Sequence, residues 1–223
     1  MQIGQPGALL SAAARAHTRE LPLKPAAVTL VGPTVTLEPI DLEAHAADLH
    51  RLTNGEAVEF AGRHVPAYDS DSLVWRFLFG GPFQSVDELR EYLRSQADGA
   101  DRRCLVVQHH ETGLPVGVFN LATNSPANLR IEFGGICISP VVQGAGVLAE
   151  CTRLALDHCF GLGYERVEWK CDDLNERSKR AAIGLGFAPE GVQQRHMIIK
   201  DRYRDTAWFR ILKSEWEERL LHH

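Results

Sequence analysis

The sequence predicts a single α/β domain whose sheet is mixed but mostly antiparallel, with seven strands flanked by helices. Three observations lead there. Residues 104–109, 115–121 and 129–138 read as consecutive strands joined by turns too short for anything but an antiparallel meander. The run 147–162 then has helical spacing (Val147, Leu148, Cys151, Leu154, Ala155, Cys159, Leu162) and ends at Gly163. It links the strand ending at Ile138 to a cleanly alternating strand at 166–171. A crossover of that kind makes the two strands parallel neighbours, or strands that splay from a common point.

In chain order, residues 1–27 are rich in Ala, Pro and Gly and read as a mobile arm or docking extension, with the folded domain spanning 28–221. Residues 28–39 alternate loosely and form a first strand. Asp41 caps a helix to about Leu52, which stops at Asn54-Gly55. Residues 71–97 read as two helices broken at Gly80-Gly81-Pro82; the second opens on the capping box Ser85-Val86-Asp87-Glu88. In strand 129–138, Ile131 and Phe133 point one way and Arg130 and Glu132 the other, until Gly134-Gly135 interrupts the alternation and suggests a bulge. Asn175 is placed to cap a helix ending at Gly186, with Phe187 packing back on its last turn. Residues 192–200 and 205–212 form a closing hairpin, and Ser214-Glu215-Trp216-Glu217 starts a terminal helix.

Composition excludes several classes of function. With 24 Lys and Arg against 29 Asp and Glu, the net charge of −5 offers no footprint for nucleic acid. No apolar run reaches the roughly 18 residues of a membrane span. The stretch Ala8–Ala14 lacks the basic residues that precede a signal-peptide core. Five cysteines, with no C-x-x-C pair and mostly on apolar faces, imply free thiols in a reducing, cytoplasmic compartment and no cysteine nucleophile. His109 and His110 are adjacent on a strand and face opposite ways, so no metal site is expected. His222-His223 reads as the remnant of a purification tag.

Chemistry concentrates after Ile138. An apolar strand, Pro140, the glycines Gly144 and Gly146 and then a helix start aim free N–H groups and the positive end of a helix dipole at one point. Phosphate fits there, and glycine permits its close approach. The aromatics Trp75, Phe77, Phe79 and Phe83 read either as core or as the wall of a substrate cleft.

Several blocks recur in one order: Ile131-Glu132-Phe133-Gly134, Ile138-Ser139-Pro140, Gln143-Gly144-Ala145-Gly146, Glu168 to Asp172, Asn175-Glu176-Arg177-Ser178, Ala182 to Phe187, Glu190-Gly191 and Arg204 to Phe209. In these the chain resembles the GNAT superfamily of acyl-CoA-dependent N-acetyltransferases, and within it the RimJ/RimL-like branch, over about residues 28–217. The resemblance implies a sheet splayed at the acetyl-CoA site, with acetyl-CoA as co-substrate and no metal. It places Ile136 and Ile138 along the pantetheine arm, and Gln143, Gly144, Ala145, Gly146 and Val147 around the pyrophosphate. Asn175 and Ser178 lie near the pantetheine and the sulfur. Where the family's loop carries Arg or Gln in the first position, this chain has Val141, which leaves the cradle mostly to backbone N–H groups.

The resemblance also implies direct acetyl transfer to a primary amine of a small molecule or peptide, without a covalent enzyme intermediate. Glu132 is the candidate base, with His196 a second, and Ser178 the candidate proton donor to the departing thiolate. Trp75, Phe83 and Glu132 are expected on the acceptor side. Arg177, Lys179 and Arg180 form a basic cluster that could meet the 3′-phosphate of CoA. A homodimer is compatible with the resemblance. Two other readings stay open: a CoA-binding sensor or interaction module without turnover, and a nucleotide-phosphate binder unrelated to CoA.

Overall fold

The computed structural model describes residues 9–221, so the tag reading of His222-His223 lies outside it. Helix α1 (Ala12–Glu20) is followed by β1 (Leu30–Val31), β2 (Val35–Pro39), α2 (Leu42–Thr53) and a small hairpin, β3 (Val58–Phe60) and β4 (Arg63–Val65). Helix α3 (Val86–Asp98) leads into the meander β5 (Arg103–His109), β6 (Pro115–Ser125) and β7 (Arg130–Ile138). Helix α4 (Val147–Gly161), β8 (Arg166–Asp172), α5 (Glu176–Gly184), β9 (Ala188–Ile199), β10 (Arg202–Leu212) and α6 (Lys213–Leu221) complete the chain.

The main sheet has eight strands in the order β1-β2-β5-β6-β7-β8-β10-β9. Its pairs are antiparallel except β7 with β8. The expected count of seven is corrected because the first strand folds on itself at Gly32-Pro33, where Gly32 N–H donates to Val35 O at 2.9 Å. Strand alternation splits the core between the two faces of the sheet. Leu105 and Val107 join α4 residues Val147, Cys151, Ala155 and Cys159 on one side. Cys104 and Val106 join Leu49, Trp75, Leu89 and Leu93 on the other.

The expected caps form. Asp41 accepts from Glu43 and Ala44 N–H, Ser85 from Glu88 N–H, and Asn175 from Ser178 N–H. At α6 the cap is Glu215, which accepts from Leu212 N–H at 2.9 Å and replaces the expected Ser214. Residues 71–75 are a single π turn, not the expected α-helix, and the β3–β4 hairpin had no counterpart in the sequence reading. Within the segment read as a mobile arm or docking extension, α1 forms and residues 22–25 are held to the domain. Asn124 Nδ2 donates to Pro22 and Leu23 O, and Arg103 Nε to Pro25 O, each at 2.9 Å.

Glu150, in the first turn of α4, ties the β1–β2 hairpin to the helix by accepting from Thr34 N–H at 2.8 Å and Val35 N–H at 3.1 Å. Partial burial alone would raise its carboxyl pKa, but the hydrogen bonds from Thr34 and Val35 overcome that and lower it. The stability it contributes is therefore present above the ordinary carboxylate pKa and lost as pH falls through the lowered value. Glu150→Ala is expected to destabilise the domain by about 1–2 kcal/mol near neutral pH, because Val35 N–H is left buried without an acceptor. Denaturant titration checks this, and the deficit should shrink in acid.

Candidate active site

The site begins with a failure of pairing. Strands β7 and β8 pair in parallel only from Arg130–Phe133 against Arg166–Trp169. Beyond that point they diverge, leaving the β7 edge from Gly134 to Ile138 open. A bulge turns the edge: Gly134 pairs with Asn120 and Cys137 with Val118, so β7 carries one extra residue between them. Gly135 takes a φ of +55°, and its carbonyl accepts from Asn120 Nδ2 at 3.2 Å. The expected bulge at Gly134-Gly135 is thus present and is held from β6.

The gap opens into a cavity of about 710 Å³ that runs from the Gln143–Val147 loop, past Ile136 and Ile138, to Glu132, Trp169 and Ser178. At the loop end, Gly144 and Gly146 adopt φ of +79° and +77°, and a Cβ on either would meet only open space. Gly146 is the N-cap of α4 and supplies no side-chain cap. Gln143 N–H is spent on Pro140 O and Ala145 N–H on Val142 O, whereas Gly144, Gly146 and Val147 N–H have no backbone partner among the described residues. The donors narrow from the five expected to these three plus the following residues of the first helical turn. Ala145 does not line the cavity. Val141 is buried beneath the loop at 4 % exposure, an apolar side chain packed in the core where a contact to phosphate would need a polar one. Free N–H groups at a helix start, approached over glycine, fit a pyrophosphate, and the open strand edge fits an extended amide-bearing arm.

At the other end, Glu132 is 6 % exposed and lies 2.7 Å from Lys170 Nζ. This is a charge contact, and among the described residues the same oxygen has no hydrogen-bond donor. Register places Glu132 beside Glu168, which is held by Arg130 at 2.7 Å and Arg166 at 2.8 Å. Arg130 thus serves Glu168, and Lys170, not singled out from the sequence, serves Glu132. Alternation along 166–171 did place Lys170 opposite Trp169 and Cys171; its pairing with Glu132 needed the register.

Ser178 Oγ accepts from Trp169 Nε1 at 2.9 Å, and Asn175 Oδ1 accepts from Ser178 N–H at 3.1 Å. Both Asn175 and Ser178 line the cavity, as does Cys171. All five cysteines are free and buried, and burial pushes the Cys137 thiol up to about 12, which suits no nucleophile. Of the basic cluster, Lys179 is paired with Glu176 at 2.7 Å and Asp173 at 3.2 Å, while Arg177 bonds to Leu73 O and borders the cavity.

The aromatics divide differently from expectation. Trp75 is 3 % exposed, donates to Thr53 O at 3.0 Å, and packs with Phe83 and Tyr92 at ring distances of 5.0 and 6.3 Å. Neither Trp75 nor Phe83 lines the cavity; Phe77 and Phe79 do. The correction follows from the π turn, which sends the indole inward and the next two phenylalanines outward. His196 Nδ1 lies 3.0 Å from Thr206 Oγ1, and its ring also does not line the cavity. Partial burial, then Lys170 and Arg204, lower its pKa.

A sheet opened between two parallel strands, with a glycine-capped anion cradle at one end and a buried carboxylate at the other, defines a class of transferase that takes its donor along the strand edge. The chain belongs to the family described as the acetyltransferase (GNAT) domain, whose model matches residues 34–188. It is 28 % identical over 175 residues to spermidine N(1)-acetyltransferase of Escherichia coli K12, covering 78 % of this chain and 89 % of that protein. A Chromobacterium violaceum structure described as a "probable" GNAT acetyltransferase superposes with a TM-score of 0.80 at 28 % identity, over 97 % of this chain and 99 % of that one. A GCN5-related N-acetyltransferase from Brucella melitensis gives 0.77 at 31 %, over 86 % and 82 %. Among the described residues, no helix is long and apolar enough to cross a membrane, and no cluster of metal-binding side chains occurs.

Proposed function

We propose that this protein transfers an acetyl group from acetyl-CoA directly to a primary amine on a small molecule or peptide, as a RimJ/RimL-like N-acetyltransferase. One observation carries the reading: a single cavity joins the Gly144–Gly146 anion cradle to the buried Glu132 carboxylate through the gap between β7 and β8. Acetyl-CoA, when bound, supplies an acyl group already activated as a thioester. The N–H groups of Gly144, Gly146 and Val147 hold its pyrophosphate, and Asn175 with the β7 edge at Ile136 and Ile138 holds the pantetheine. Glu132 takes the proton of the attacking amine, directly or through water, its charge steadied by Lys170. Ser178, whose oxygen accepts from Trp169 and whose hydroxyl neighbours Cys171, turns its proton to the departing sulfur. Similarity to an enzyme named for spermidine supports a small amine as acceptor.

The test is release of CoA thiol by the purified chain with acetyl-CoA and a panel of amines, amino acids and peptides. Release with at least one primary amine is expected. Calorimetric binding of acetyl-CoA with no release anywhere would favour the non-catalytic sensor. Ser178→Ala is expected to lower kcat by about tenfold to a hundredfold while changing the Kd for acetyl-CoA by less than about threefold. The reverse pattern would make Ser178 a binding residue. Trp169 Nε1 loses its acceptor in this variant, so the unfolding midpoint must be read alongside.

A further inference from the structure

We infer that the acceptor amine carries a carboxylate, and that Arg204 binds it; this rests on the acetyltransferase reading above. Arg204, at the start of β10, is 7 % exposed, lines the cavity, and lies with its guanidinium 5.9 Å from the Phe79 ring centre. Its Nε is sealed from solvent with no acceptor, and no carboxylate comes within ion-pair distance of it among the described residues. Two acids act on it only through space: Asp172, whose Oδ1 accepts from Leu174 N–H at 2.9 Å, and Glu132, which lies 2.7 Å from Lys170 Nζ. Burial of a guanidinium without a direct ion-pair partner is costly, and an anion entering the cavity would offset that cost.

The rest of the lining agrees in sign. Among the described residues, Arg76, Arg102, Lys170, Arg177 and Arg204 border the cavity against only Glu132 and Asp172. The other four cations already have partners: Arg76 has Asp71, Arg102 has Gln96 and Asp101, Lys170 has Glu132 and Arg177 has Leu73 O. A polycation would meet repulsion in such a site. A molecule with an amine near Glu132 and a carboxylate on the planar fork of Arg204 would have both ends matched. Phe77 and Phe79 add an apolar wall, so an amino acid with an apolar or aromatic side chain fits best.

Matched pairs test this, each an amino acid and the amine left after its decarboxylation: phenylalanine with phenethylamine, lysine with cadaverine, and spermidine as the polycation. Binding to the full chain in the presence of CoA is measured by calorimetry, and turnover by thiol release. The amino acid of at least one pair is expected to bind about tenfold or more tightly than its amine, and Arg204→Gln should bring that ratio to within about twofold of one. Arg204→Met should unfold at or above the wild-type midpoint, because it removes an unpaired buried charge; a merely structural arginine would show the opposite. Equal binding within every pair, no binding by any amino acid, or tightest binding by spermidine would overturn the assignment. Amine turnover without a carboxylate preference would sink this inference and leave the acetyltransferase reading standing. Carboxylate-dependent binding without turnover would do the reverse.

Discussion

Gly146→Glu is expected to abolish acetyl-CoA binding, with a loss of about a hundredfold or more in affinity by calorimetry. Two effects add. Gly146 sits at φ +77°, where an L-residue costs about 1–2 kcal/mol, so the N-cap turn would relax and re-aim the first N–H groups of α4. The new side chain would meet no steric obstacle, since a Cβ there faces open space, so its carboxylate is free to occupy the helix start itself. A negative charge at that point satisfies the same N–H donors and the same dipole that a pyrophosphate would use. Gly146→Asn separates the two effects: Asn tolerates the left-handed conformation and brings no charge, so its affinity should stay within about tenfold of wild type. Unchanged affinity in Gly146→Glu would remove the loop from the site.

Glu132→Gln is expected to lower kcat by about 10²–10⁴-fold, the range for losing a positioned base. It should also destabilise the fold by about 3 kcal/mol, because Lys170, with a side chain only 12 % exposed, would lose its partner. Its position 4.6 Å over the Trp208 ring softens that loss without replacing the carboxylate. Stability and chemistry can be separated with the double variant Glu132→Gln with Lys170→Met, which removes both charges. It should recover most of the unfolding free energy and none of the rate. If the rate returned together with stability, Glu132 would be a structural ion-pair partner, and the base would have to be sought elsewhere.

Much of this site was legible without coordinates, for reasons that are local. Glycines before a helix start, a capping Asn and a strand broken by two glycines are signals read over a few residues, because backbone conformation and helix-end hydrogen bonding are settled within a turn. Asp41, Ser85 and Asn175 cap as their positions imply, and the bulge falls at Gly134-Gly135. The donors of the cradle were less legible, since whether Gln143 and Ala145 N–H are free depends on how a 3₁₀ turn at Pro140–Val142 closes.

Which aromatics line the cavity was not legible, for a reason of another kind. Trp75 and Phe83 share the composition of a cleft wall, yet a π turn at Asp71–Trp75 turns the indole into the core and leaves Phe77 and Phe79 at the cavity. Likewise Arg130 and Glu132 look like partners along one strand, but the parallel register with β8 supplies Glu168 to the first and Lys170 to the second. The amino-acid sequence by itself determined most of the strand and helix order, the caps at Asp41, Ser85 and Asn175 and the glycine turn before α4, all consequences of side chains acting on their own backbone. Only the tertiary structure decided which charges meet across the gap between β7 and β8, because burial and cross-strand register bring together residues far apart in the chain. That is why Arg204 stands in the cavity with no ion-pair partner among the described residues, a fact no spacing in the sequence contains.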